Sequence, residues 1–184
     1  SGDYKPQADR TCEPFELVSC HGFISECTFG LPVYRWQPEE EVYDQINRWW
    51  KHNKDSGQGS LVFAYSLGKA QRILAGLDPS IGLIYAHSAV HPFLEHYQNA
   101  GISLPEIKKI EKDTVIAEGM VIAPPAVEDS SWMKKFRRVK RGFASGWMAI
   151  RGPRRRKNID RGFVLSDHAD WPGLIDVITG TGAE

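Results

Sequence analysis

Apolar and polar positions fall along the chain in blocks whose spacing predicts alternating helices and strands. Within 39–52, Val42, Ile46, Trp49 and Trp50 share one face at helical spacing. Pro38 lies near the start and Glu39, Glu40 and Glu41 fill the first turn, where the helix dipole favours negative charge. The spacing predicts an amphipathic helix whose tryptophan pair belongs to the core. The apolar run 60–65 reads as a strand, and a tight turn at Gly68 leads into a helix from 69. This βα unit lacks the glycine spacing of either common phosphate loop. The theme repeats with a strand at 81–85 and a helix at 90–100 closed by Gly101. Further strands are expected at 119–123, 143–147 and 162–165, a basic helix at 132–140 and a last helix at 172–178. The stretches 16–20 and 23–26 read as short strands, 5–14 and 53–59 as loops, and 102–113 as a polar connection. The order argues for an α/β fold with a largely parallel sheet.

One junction in this pattern is chemically dense. The apolar run ending at Leu165 stops abruptly at Ser166-Asp167-His168-Ala169-Asp170. In α/β proteins the C-terminal ends of strands commonly carry the chemistry. Glu26 closes the short strand 23–26 in the same manner, and Asp3 follows what reads as another strand end. Three such ends converging in a parallel sheet would assemble a polar site. Plainer readings stand beside this one: His168 as a strand-end histidine next to a helix cap, and Asp3 as a turn residue after glycine, which the residues alone favour. His87, His91 and His96 do not make a metal set. Only the first pair has a spacing of four, it spans the turn before Pro92, and no carboxylate partners it. His21 reads as a surface histidine.

Composition changes the picture mainly through charge. The 184 residues are 41% hydrophobic and 25% charged, as in an ordinary globular protein. No apolar run approaches the roughly 18–20 residues of a membrane helix, and the residues after Ser1 show no signal-peptide core, so a cytoplasmic protein without membrane partners is expected. Cys12, Cys20 and Cys27 are odd in number and form no C-x-x-C pair, which fits reduced thiols. The formal net charge of zero conceals an asymmetry: residues 134–161 hold 12 basic side chains and one acid, Asp160. Such a block can be a solvated basic face. Here it is interleaved with Phe136, Phe143, Trp147 and Met148, so it can fold onto a core while presenting charge to a polyanion. Nucleic acid is the leading partner. Arg151, Arg154, Arg155, Arg156 and Lys157 are the candidate contacts to its phosphates.

Four segments taken together carry a resemblance. Ser1-Gly2-Asp3, Glu26-Cys27-Thr28-Phe29-Gly30, Ser66-Leu67-Gly68-Lys69-Ala70-Gln71 and Ser166-Asp167-His168-Ala169-Asp170 occur in the order and setting seen in β-CASP nucleases of the metallo-β-lactamase superfamily. The chain most resembles the bacterial ligase-associated DNA exonucleases, often labelled mRNA 3′-end processing factors. The stretch 143–148 and the arginine-rich segment leading to Phe163 add to the likeness, which extends over essentially the whole chain.

The resemblance implies a β-CASP domain flanked by partial strands of a metallo-β-lactamase αββα domain. The implied divisions are 1–30 and 161–184 for the partial catalytic domain and 31–160 for the β-CASP domain. It implies two zinc ions holding a bridging hydroxide that attacks phosphorus. Asp3 matches the aspartate that bridges the metals, Glu26 the first β-CASP motif and His168 the second. In that scheme the acid orients the histidine, which assists the leaving oxygen. The basic segment would hold the phosphodiester backbone without sequence preference, and association with a DNA ligase is implied by the family.

The departures from the pattern are large. The His-x-His-x-Asp-His cluster that marks the family is absent, as are the ligand histidines expected before Ser1 and after Glu184, and Cys27 stands where the family usually has serine. One carboxylate cannot hold two zinc ions. The sequence therefore reads as an internal fragment of a nuclease, expected to be inactive alone and to bind no zinc stably. A non-catalytic nucleic-acid-binding or protein-interaction module is the alternative. A small-molecule hydrolase of the same superfamily is disfavoured, since such enzymes lack the inserted domain. DNA against RNA, and exonuclease against endonuclease action, stay open.

Overall fold

The computed structural model describes residues 2–111, 114, 116–136, 138–150 and 159–183. Helix α1, Glu39–Asp55, follows the predicted face: Val42, Ile46 and Trp50 are buried and the acidic first turn stands as expected. Trp50 is wholly inside, where its indole N–H donates to the Glu118 carbonyl at 3.1 Å. Trp49 packs edge-on against Phe163 at 5.5 Å. The tryptophan pair is core, as its spacing requires.

Strand β1, Gly59–Phe63, is buried along its whole length and leads through Gly68 to α2, Lys69–Ala75. Gly68 takes a φ of 83°, a left-handed conformation that favours glycine, and so makes the tight turn possible. Strand β2, Ile84–Ala86, is followed by a 3-10 turn, His91–Phe93, and by α3, Leu94–Asn99. Strands β3 (Ile107–Lys109), β4 (Met120–Ala123), β5 (Val139–Ala144) and β6 (Arg161–Phe163) complete the sheet described, and α4, Trp171–Thr181, closes the sequence of elements. The spatial order is β3-β2-β4-β1-β5-β6 and every pairing is parallel. The α/β class and parallel sheet expected from the alternation are thus observed.

The strands alternate between two cores because successive side chains point to opposite faces. Val62, Met120 and Ile122 join α1 and α2 on one face, with Ile46, Trp50, Ile73 and Phe163. Leu61, Phe63 and Val121 face the other way, onto Met133, Phe136 and Met148. Both faces of the central strands are therefore covered, the usual condition of a parallel sheet.

Several expectations are corrected. The basic helix at 132–140 does not form: a 3-10 turn spans Ser131–Lys135 and β5 already begins at Val139. Met133 and Phe136 are drawn into the second core, and pairing of Val139 to Phe143 with β1 outweighs helix propensity. The strand expected at 143–147 accordingly ends at Ala144, and a 3-10 turn, Gly146–Ala149, follows. The polar connection 102–113 contains β3, an edge strand whose Lys108 and Lys109 are exposed and discourage further pairing. The stretches 16–20 and 23–26 are not strands. No neighbouring strand is described beside them, and the Cys20 N–H donates instead to the Thr181 carbonyl at the end of α4. Among the described residues no helix is long and apolar enough to cross a membrane. All three cysteines are free.

Candidate active site

The parallel sheet places the C-terminal ends of all its strands along one edge. The loop after β6, residues 164–170, leaves that edge and turns into α4. Its shape is set by hydrogen bonds from its own side chains. Ser166 Oγ accepts from the His168 N–H at 3.1 Å, and Asp170 Oδ1 accepts from the Gly173 N–H at 3.0 Å as the N-cap of α4. The helix-cap reading is therefore right for Asp170, whereas His168 projects elsewhere.

Four hydrogen bonds draw distant segments toward this loop. The Ala169 N–H donates to the Tyr4 carbonyl at 2.7 Å, which draws Asp3 alongside His168. The Tyr4 hydroxyl and Ser25 Oγ share a hydrogen bond of 2.7 Å, which brings in Glu26. From the other side, the Trp171 N–H donates to the Tyr34 carbonyl, and the Trp36 indole N–H donates to the His168 carbonyl at 2.9 Å. The predicted convergence of Asp3, Glu26 and His168 occurs, but not by three strand ends. Of the three, only His168 follows a strand of the sheet.

The resulting cluster has one donor atom from each residue, all within 4.8 Å of one another. His168 Nδ1 lies 3.1 Å from Glu26 Oε2 and 3.2 Å from Oε1, and 3.8 Å from Asp3 Oδ1. The Glu26 side chain is only 6% exposed, against 26% for His168 and 70% for Asp3. Burial alone would raise the Glu26 carboxyl, but hydrogen bonds from Thr28, including its N–H at 3.1 Å, and from His168 outweigh it and hold the group below its ordinary value. An ionised carboxylate only accepts, so the proton of the neutral imidazole resides on Nδ1 and Nε2 is left to meet a reacting group. Behind the imidazole, Phe29 lies edge-on at 5.7 Å and is itself enclosed by Tyr34, Trp36 and Trp147, each 4.9 Å from it.

Beneath the loop lies a buried ionic lattice. The Arg72 Nη1 donates to the Ser166 carbonyl at 2.7 Å, and its guanidinium stands 3.0 Å from Glu39, 3.4 Å from Asp9 and 3.5 Å from Asp167. Lys69, also buried, reaches Asp167 Oδ2 at 3.0 Å. Both cations come from the stretch that begins Ser66-Leu67-Gly68-Lys69. Its polar residues thus hold the loop rather than line a phosphate cradle. A cleft of about 410 Å³ opens beside this lattice and is lined in part by Gln7, Trp36, Arg72 and Ser166, but Asp3, Glu26 and His168 do not line it. Their cluster opens to solvent on the Asp3 side.

Tyr4, Trp36, Lys69 and Arg72 carry the geometry of the site and were not singled out by sequence as site residues. The basic candidates Arg151, Arg154, Arg155, Arg156 and Lys157 lie outside the described residues. His87 packs edge-on against Trp132 at 4.8 Å and accepts from the Ala89 N–H through Nδ1, in keeping with a structural histidine.

No protein-family profile matches the chain. A protein of Opitutus terrae named as a probable DNA ligase is similar to it, 30% identical over 175 residues. The match takes in 95% of this chain but 17% of that protein, so the chain spans a small part of the length of the curated relative.

Proposed function

We propose that this chain is part of a metal-dependent nuclease of the β-CASP, metallo-β-lactamase type, hydrolysing phosphodiester bonds of nucleic acid. The observation that carries the reading is the Glu26–His168 pair at 3.1 Å with Asp3 at 3.8 Å from the same nitrogen. Hydrolysis of a phosphodiester needs a proton delivered to the leaving oxygen, and a histidine held at Nδ1 by a buried acid can deliver one from Nε2 when the ring is in its imidazolium form. Asp3, exposed beside the pair, is suited to holding a cation. In the intact enzyme a zinc pair would supply the activated hydroxide.

The cluster alone does not fit such a pair. A zinc site takes three or four protein donors, and with Glu26 engaged by His168 the cluster offers chiefly Asp3. The hydrolytic reading therefore requires donors from a longer polypeptide. Apolar surface supports this: Leu17, Val18 and Ile24 are exposed at 48%, 70% and 83%, and Ile175 and Ile178, three apart on one face of α4, at 42% and 45%. The name of the similar Opitutus terrae protein favours DNA as substrate and a setting in DNA joining.

A nucleic-acid-binding module is the second reading, favoured by the 12 basic residues within 134–161. Incubation of the 184-residue chain, and of the full-length protein containing it, with zinc and single-stranded DNA separates the two. The nuclease reading expects hydrolysis by the full-length protein alone, lost on His168→Ala. Binding without hydrolysis in both would leave the module, and zinc-dependent turnover by the 184-residue chain would overturn the need for further donors.

A further inference from the structure

Two large aromatic side chains stand exposed just beyond the ends of neighbouring strands, at the edge that carries His168. Phe63 of β1, Phe143 of β5 and Gly162 of β6 lie level across the sheet. Tyr65, Ser145 and Val164 each follow two residues beyond that level, so Tyr65, the turn bearing Trp147 and the loop of His168 leave adjacent strands at the same edge. Tyr65 is 61% exposed and Trp147 45%.

Neither ring is a loose surface residue. Gly146 makes the approach of Trp147 possible, because a Cβ there would meet the Phe29 ring at 2.5 Å. Trp147 rests on Phe29 at 4.9 Å, and Phe29 rests on the His168 imidazole at 5.7 Å. One buried ring therefore separates the exposed indole from the histidine. The Tyr65 ring is underpinned on one side by the Lys69 ammonium, 5.0 Å from its centroid. That ammonium is fixed by Asp167, the residue preceding His168. Both rings are thus mounted on the groups that position the site.

We propose that Trp147 and Tyr65 form a base-stacking platform for single-stranded nucleic acid, holding the nucleotides next to the phosphate presented to His168. The proposal rests on the nuclease reading for the identity of the ligand. Every base offers a π-face, so such a platform is tolerant of sequence. The rings follow the ends of adjacent strands, β1 and β5, so one single strand crossing that edge can meet both. Charge along the same edge complements the ligand. The exposed Lys134 and Lys135 belong to the 3-10 turn after β4, and that turn is held to the edge by Trp132 against His87 and by the Lys135 ammonium on the Glu111 carbonyl. A duplex keeps its bases stacked on each other and gains nothing from the two rings.

The test uses the 184-residue chain with fluorescein-labelled oligothymidylate of about 20 nucleotides, an abasic strand of equal length, and the corresponding duplex. Wild-type chain should bind oligothymidylate more tightly than either control. Trp147→Ala and Tyr65→Ala should each weaken oligothymidylate binding about tenfold, leave the abasic strand unaffected and leave the salt dependence unchanged. Trp147→Phe and Tyr65→Phe should retain most of the affinity. Equal losses on both strands, or none, would overturn the platform. If Trp147→Ala loses its helical circular dichroism through Phe29, Tyr65→Ala decides alone. Absence of hydrolysis by the full-length protein, with ring-dependent binding intact, would remove the nuclease reading and leave the platform standing.

Discussion

His168 Nδ1 lies 3.1 Å from Glu26 Oε2 although 142 residues separate them in the chain. Tyr4 accounts for the approach, since its carbonyl takes the Ala169 N–H while its hydroxyl meets Ser25. Two neighbours of the reacting residues are thus held by one tyrosine. The pair itself is then locked by a carboxylate that can only accept.

Replacing Glu26 by glutamine keeps the shape and removes the charge that fixes the Nδ1 proton. Hydrolysis by the full-length protein is expected to fall about 100-fold or more, within the range for general acid–base groups, with little change in nucleic-acid affinity. Because both residues serve one proton, Glu26→Gln in a His168→Ala background should cost almost nothing further. Single-turnover rates of the two single variants and the double variant measure this directly.

The ionic lattice under the loop predicts an acid-sensitive fold. Burial would raise the Asp9 carboxyl, but Lys5, the Thr11 hydroxyl and N–H, and Arg72 outweigh it and hold the group below its ordinary value. A carboxyl lowered in the folded state adds stability above its unfolded value, and that stability is lost as pH falls through the folded one. Urea midpoints should therefore drop as pH falls below about 5, and Asp9→Asn should flatten that drop. Removing the guanidinium is harsher. Arg72→Met leaves Asp9, Glu39 and Asp167 without their shared cation and should cost about 3–5 kcal/mol.

Helix α1 and strand β1 were legible because a single face or an unbroken run states its period locally. The pairing of Glu26 with His168 was legible through the resemblance of their motifs; the residues themselves suggested a meeting of strand ends, and no spacing connects residues 142 apart. What sequence missed is non-local. β5 begins at Val139 because β1 offers it a partner, which its own residues do not announce, and the stretch 23–26 forms no strand. Lys69 and Arg72 look like the solvated face of a helix, yet both are buried by carboxylates contributed from other segments. Charge pattern along the chain carries no sign of such pairing.

Gly146 ties packing to chemistry. Alanine there would press on Phe29, which backs both His168 and Trp147. The expected cost is about 1–3 kcal/mol for overpacking. Displacement of Phe29 should also move the His168 ring resonances in a proton–nitrogen correlation spectrum. Gly22→Ala, where a Cβ would meet nothing, is the control that should change neither.

Asp170 serves two segments at once, and its two oxygens can be separated by mutation. Oδ1 caps α4 through the Gly173 N–H, and Oδ2 accepts from the Trp36 N–H at 2.8 Å. The residue is buried, so water does not readily replace either bond. Asp170→Ala should cost about 2–4 kcal/mol, the sum of a lost cap and an unsatisfied buried N–H. Asp170→Ser can still cap the helix, but its single oxygen cannot also reach Trp36, so it should recover about 1 kcal/mol and no more. Trp36 also holds the His168 carbonyl. If the clamp positions the histidine, both variants will shift His168 signals while the serine variant alone restores the melting of α4. Recovery of both readouts by serine would show that the contact with Trp36 holds nothing in place.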